Sequence, residues 1–374
     1  MSGVPAGQAL RMLCAAVLPW LLLAACASSP ATPAATGMAG LGTRVLQQYI
    51  RPQTAALVRS TQALQTALQA YCAQPAQAAR RAAVEARFAD VAVSWAGVEF
   101  LRFGPLVEQN RLDQFFFWPD PRGVTQRQLR SLLAATDPAL LQAARVREQS
   151  VAVQGLPALE YLLHAEDGRA VIAAGEATGR YRCAFAEAVG SNLVRLAGEI
   201  DAGWNARSPV AAEFAHPAPA NDLYRDAGEV ATEVLKALST ALHVARDHKL
   251  APALGVDAAS ARGALLPLYR SGLTAPFLGA QAVALERFHA AGDFATSLPA
   301  ASAWVDASLR DELRRVQQDF SELTLPADRA VADEEARNAL VHAALLLVNA
   351  RALVDEYLAP ALGVNLGFNA LDGD

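Results

Sequence analysis

The sequence predicts an all-α protein built as two helical bundles packed side by side. Hydrophobic residues make up 53% of the chain but aromatics only 7%. Much of the remainder is alanine, and β-branched residues are sparse, a balance that favours long helices over sheets. Apolar positions recur at spacings of three and four, the period of a helix with one buried face. A charged fraction of 18% at this apolar content excludes a disordered chain, and 374 residues suffice for two domains. The formal charge of −5 offers no basic field to a phosphate backbone, so a nucleic-acid partner is disfavoured.

The N-terminus is set apart from the fold. Arg11 precedes an uncharged run from Met12 to Ala25 that closes on Leu23-Ala24-Ala25-Cys26. This reads as a secretion signal, residues 1–25, ending in a lipobox, with Cys26 as the thiol that carries diacylglycerol and anchors the chain to a membrane. Residues 26–40 are small, uncharged and proline-containing, the composition of a flexible tether. Ala27 follows the lipidated cysteine in place of aspartate, and the resemblance to other lipoproteins of this kind implies sorting to the outer membrane of a bacterial envelope, with the folded part facing the periplasm. Of the four cysteines, only Cys72 and Cys183 then remain in an oxidising compartment. They form either a disulfide joining an early helix to a later one, or two separate buried thiols.

An N-terminal bundle is expected over 41–204. Leu41 to Ala73 reads helical with a kink near Pro52, and Ala76 to Phe103 forms a second helix with Val84, Phe88, Val91, Trp95 and Val98 on one face. Residues 104–123 break the period with glycines and prolines and are expected as a long loop. Its apolar cluster, Phe115, Phe116, Phe117 and Trp118, should cap a bundle end or fill an interface. Helices at about 125–135, 138–150, 154–164 and 171–204 follow. Residues 205–220, rich in proline and alanine, are the candidate linker. The C-terminal bundle, 221–374, opens with Leu223, Val230, Val234, Ala237, Ala241 and Val244, and continues with helices at about 259–270, 276–291, 303–323 and 329–359.

Familiar chemistry is missing from the pattern. There is no His-Glu-x-x-His, phosphate loop, dinucleotide fingerprint, nucleophile elbow or Cys-x-x-Cys, and no two of the six histidines stand four apart. His243 and His248 are five apart, on different faces of a regular helix. What stands out is Trp95-x-x-x-Glu99-x-x-Arg102 and Gly155-Leu156-Pro157-Ala158-Leu159-Glu160-Tyr161. Glu99 and Arg102 share a face and form either an exposed ion pair or part of a site. Glu160 sits in an apolar helix, so it is paired, placed at an edge, or a cation ligand.

The string GLPALEYLL resembles the Gly-x-His-x-x-Glu helix of the imelysin family, envelope proteins first classed as insulin-cleaving metallopeptidases and often associated with iron uptake. WAGVEFLRFGPLVEQNR with FFFWPDPRG, LYRSGLTAPFLGAQ, and the closing LGFNALDGD resemble the same family. The resemblance implies two helical bundles with a functional pocket at their interface. Pro157 stands where the motif has histidine, which weakens a zinc peptidase reading, since catalytic zinc needs three protein ligands. With Glu160 as metal ligand, and Glu99 or Asp120 in support, oxygen ligation suits calcium, magnesium or a ferric ion. The expected cofactor is therefore an unidentified divalent or ferric metal ion. Pro157 fits the first turn of its helix, with Gly155 and Leu156 at the entry. Arg270 and Ser271 match the family's Arg-Ser-Gly-like position, and Arg270 would pair with Glu160 or bind an anion. Asn369, Asp372 and Asp374 form a polar tail that folds back or frays.

The leading functional expectation is a lipoprotein that binds a metal ion or metal-containing ligand between the bundles, with Glu160 as metal ligand and Glu99, Arg102, Gly155, Arg270 and Ser271 lining the pocket. A metallopeptidase and a non-catalytic envelope scaffold are the alternatives.

Overall fold

Residues 38–165 and 168–367 are described by the structure, a computed structural model; they are helices joined by turns, with no strand among them. The expected signal, the lipidation site at Cys26, most of the tether, and Asn369, Asp372 and Asp374 lie outside the described residues.

The first long helix begins at Leu41–Val45, widens into a π turn at Leu46–Ile50 and continues as α1, Arg51–Ala73. Pro52 explains the π turn. A proline inside a helix cannot donate to the carbonyl four residues back, and its ring crowds that carbonyl; one wider turn ahead of it relieves both problems. The same device recurs before Pro252, with a π turn at Val244–Leu250, and before Pro360, with one at Leu353–Leu358.

The N-terminal bundle packs α1 against α2, Ala78–Ala96, and against α4, Ala177–Gly203, with α3, Leu156–His164, laid on α4. A disulfide between Cys72 and Cys183 staples α1 to α4, with Cα atoms 5.6 Å apart. The C-terminal bundle comprises α5, Ala227–His243; α6, Thr274–Gly292; α7, Trp304–Ser321; and α8, Arg337–Ala352. Asp226 starts α5 by accepting the Glu229 amide at 3.0 Å while Glu229 accepts the Arg225 amide at 2.7 Å, a reciprocal cap. Continued through its π turn, α8 reaches Ala361 and is long and apolar enough by composition to cross a membrane, but it packs against α5 and α7.

Several expectations need correction. The second helix ends at Ala96, with Gly97 as its C-cap and a run of turns from Gly97 to Phe100. Glu99 and Arg102 therefore stand in the segment after α2, off any helical face. The expected loop 104–123 contains 3-10 turns at Gly104–Leu106 and Glu108–Asn110 and a helix at Arg111–Phe115. No helix spans 259–270; the chain makes a 3-10 turn at Gly263–Leu265 and then a tight turn with left-handed Leu268 and Gly272.

The stretch 205–220 is not a free linker. It carries a helix, Pro209–Ala215, whose Phe214 is fully buried against Phe103, Trp204 and Tyr224. That helix packs on Leu41–Val45, which in turn touches α5 and α6. Across the seam Phe116 stacks on Phe277 at 5.6 Å and Phe100 meets Phe288 edge-on at 5.3 Å, so one hydrophobic core runs through both bundles.

Candidate functional site

The seam is pinned at two buried carboxylates, and the structure separates them. The first is Glu160, 3% exposed on α3. Pro157 occupies the first turn of this short helix, where no amide donor is needed, and the apolar neighbours of Glu160 carry it inside. Its Oε1 accepts from the Ser271 amide at 2.9 Å and from the Ser271 hydroxyl at 2.8 Å, and the Arg270 amide also donates to the carboxylate. Burial pushes the Glu160 carboxyl above its usual range, while the Ser271 hydrogen bonds and the Arg270 charge pull it back. The turn with left-handed Leu268 and Gly272 aims the 270–271 amides across the seam.

Beside this joint opens a cavity of about 870 Å³, walled by Gln126, Arg130, Tyr161, His164 and Arg182 from one half and by Tyr269, Arg270 and Asp328 from the other. Three guanidiniums gather around one phenol ring. Arg182 lies 5.7 Å and Arg270 5.4 Å from the Tyr161 ring centre, and Arg130 Nε donates to Tyr161 Oη at 3.3 Å. Arg182, 4% exposed, is fixed by donating to the Leu162 and Tyr161 carbonyls at the end of α3. Arg270 lies over the Tyr269 ring at 4.5 Å and donates to Gln126 Oε1 at 3.1 Å.

His164, in the same wall, is a neutral ring. Its Nδ1 lies 2.8 Å from Arg169 Nη2, which can only donate, so the proton is assigned to Nε2, which has no partner among the described residues. Burial, with the Arg169 charge in support, brings its pKa down to about 4.

Glu99 belongs to the second joint. It is buried and forms an ion pair with Lys249, 2% exposed in the π turn after α5, and accepts from Gln281 Nε2 of α6 at 2.6 Å. Lys249 lies 4.6 Å from the Phe277 ring centre. Burial drives the Lys249 ammonium pKa down and Arg102 adds to this, against the pull of Glu99. Arg102 thus faces Lys249 and His248 and makes no ion pair with Glu99 among the described residues. The π turn also overturns the placing of His243 and His248 on different faces. In a helix that bonds five residues back, positions five apart lie over one another, and the two rings meet at 5.3 Å.

Other expected site residues serve packing. Gly155 has its Cα against the Phe115 and Gln114 carbonyls, where a Cβ would come within 2.5 Å, and it does not line the cavity. Asp120 uses both carboxylate oxygens to accept the Val124 and Thr125 amides at 2.8 Å, capping the helix Val124–Ala135. No group of three His, Cys, Asp or Glu side chains among the described residues is placed to hold a metal ion. Sequence reasoning missed Arg130, Arg182, Tyr269, Lys249 and Gln281. A lone arginine within the apolar stripe of α4 was a readable signal for Arg182, and Tyr269 and Gln281 lie within the family-like segment LYRSGLTAPFLGAQ; nothing local marked Arg130 or Lys249.

Together these features define a two-bundle, all-helical protein with an arginine-lined cavity where its halves meet. The family model described as imelysin matches residues 45–354, and the chain belongs to the imelysin family. Among solved structures, an imelysin-like protein from Psychrobacter arcticum 273-4 is similar at 19% identity and TM-score 0.73, over 89% of this chain and 98% of that one. A putative iron-regulated protein A precursor from Parabacteroides distasonis ATCC 8503 is similar at 12% identity and TM-score 0.69, over 88% of this chain and 97% of that one. At these identities the likeness shows the fold. No curated protein matches the chain.

Proposed function

We propose that this chain is a lipid-anchored protein of the bacterial envelope, facing the periplasm, that binds a metal-containing ligand in the cavity between its bundles. The observation that carries this reading is the cavity itself: about 870 Å³, walled by both halves and adjoining the Glu160–Ser271 joint. That space suits a small-molecule complex better than a bare ion. Glu160, first expected as a metal ligand, has its carboxylate committed to Ser271 and Arg270 donors, and the described residues offer no three-ligand set. The ligand must therefore bring its own donors to the metal, as a chelate does. The name of the Parabacteroides distasonis relative, an iron-regulated protein, favours iron. Cys26 after Leu-Ala-Ala supports the anchor, and the Cys72–Cys183 disulfide suits an oxidising compartment.

The test is metal analysis of the chain from Ala27 onward after incubation with ferric citrate, ferric chloride, zinc or calcium and gel filtration. Iron should co-elute after ferric citrate and exceed that retained from ferric chloride. No metal retained in any arm overturns the proposal. The scaffold alternative draws on the saturated hydrogen bonding of Glu160, and it predicts that no arm retains metal.

A further inference from the structure

We infer that the Arg130–Arg182–Arg270 cavity is a site for a small organic polycarboxylate, recognised through its anionic groups whether or not it carries a metal. This rests on the reading that the seam cavity is the ligand site, and it adds the chemical class. Guanidiniums present planar forks that match carboxylates two-pronged, and three of them gather around a single ring, Arg130 and Arg270 donating to the neutral acceptors Tyr161 and Gln126. Among the described residues Arg130 and Arg270 make no ion pair, and Asp328 is the one acid lining the wall. The Arg270 charge also reaches the buried Glu160 carboxylate, whose hydrogen bonds go to Ser271 and the Arg270 amide, while both guanidiniums line the cavity.

Size and surface refine the class. The volume far exceeds an inorganic oxyanion, and the Tyr161 and Tyr269 rings between the cations suit a carbon skeleton linking two or more anionic groups. His164 adds a neutral ring to the wall. The arginines come from three separate segments, the helix Val124–Ala135, α4, and the turn before α6, so the grip exists only when both halves are assembled.

The experiment is calorimetry on the oxidised chain from Ala27 onward, in buffer stripped of metals by a chelating resin. The probes are citrate, tricarballylate, which lacks the metal-gripping hydroxyl, and orthophosphate. Citrate and tricarballylate should bind within threefold of each other, orthophosphate at least tenfold more weakly. Both R130Q and R270Q should weaken citrate at least tenfold, and R314Q, exposed on α7 and outside the cavity wall, should leave it unchanged. Arg130 is solvent-exposed, so R130Q keeps the test decisive should R270Q fail to fold. Absence of metal-free citrate binding, or citrate binding that both arginine variants retain, overturns the inference. If ferric citrate is retained while metal-free citrate and tricarballylate do not bind, the metal reading stands and this one falls. If the free acids bind and iron adds nothing, the reverse holds.

Discussion

Glu160 is enclosed by apolar neighbours yet keeps three donors on its carboxylate, so its removal strands polar groups on both sides of the seam. E160A leaves the Ser271 and Arg270 amides without their acceptor in a dry place, and should cost about 2–4 kcal/mol of unfolding free energy. E160Q keeps an oxygen for Ser271 and should cost less than half as much; equal midpoints for both in urea titration would count against the hydrogen-bond account. His164 makes a prediction in pH. The unfolded ring takes up a proton below its ordinary value of 6.5, whereas the folded one resists until about 4. Stability present above 6.5 should decline through that window, by up to roughly 3 kcal/mol. Stability of H164Q relative to the parent, measured from pH 7 to pH 4, should rise as the pH falls; a constant difference refutes the buried neutral imidazole.

The π turns are the elements where sequence and structure part most instructively. Regular helices were legible because Val84, Phe88, Val91 and Trp95 repeat with the helical period and are all buried in α2. A period of that kind assumes unbroken register. Each of Pro52, Pro252 and Pro360 is preceded by one wider turn, which shifts the faces of everything on the N-terminal side. Lys249 thereby enters the core and His248 swings onto His243, neither visible from spacing. The candidate site was legible as far as Glu160 and its partners at 270–271, because an acid in an apolar helix has to be satisfied. Glu99 was misread as helical, since the apolar period of α2 runs on past Gly97 in the sequence while the helix stops at Ala96. The Glu99–Lys249 clamp gives its own prediction. E99A leaves a buried ammonium with Gln281 as its one hydrogen-bond acceptor among the described residues and should cost about 3–5 kcal/mol, while E99L with K249M should recover most of that in the same denaturation assay. A double variant no better than E99A would show that the pair contributes beyond mutual neutralisation.

At the scale of the molecule, the question is whether the two bundles act as one cooperative body. The core passes through the seam by way of Phe100, Phe288, Phe116, Phe277 and the Phe214 helix, and both ion-paired or hydrogen-bonded carboxylates cross it. Apolar surface shared in this way couples the stability of each half to the other, since unfolding either exposes the partner's face to water. The disulfide provides the probe, because it lies wholly within the N-terminal bundle and closes a separation of 111 residues. In the chain-entropy account, opening a loop of that length removes about 4–5 kcal/mol of stability. If the bundles are coupled, the C72S/C183S variant should unfold in a single calorimetric transition at lower temperature than the oxidised chain. Fluorescence from Trp304, in the C-terminal bundle, should shift with it, as read in variants whose other tryptophans outside the signal are replaced by phenylalanine. Two transitions, with the Trp304 signal unmoved, would make the bundles independent domains and strip the seam cavity of the rigidity its three arginines require.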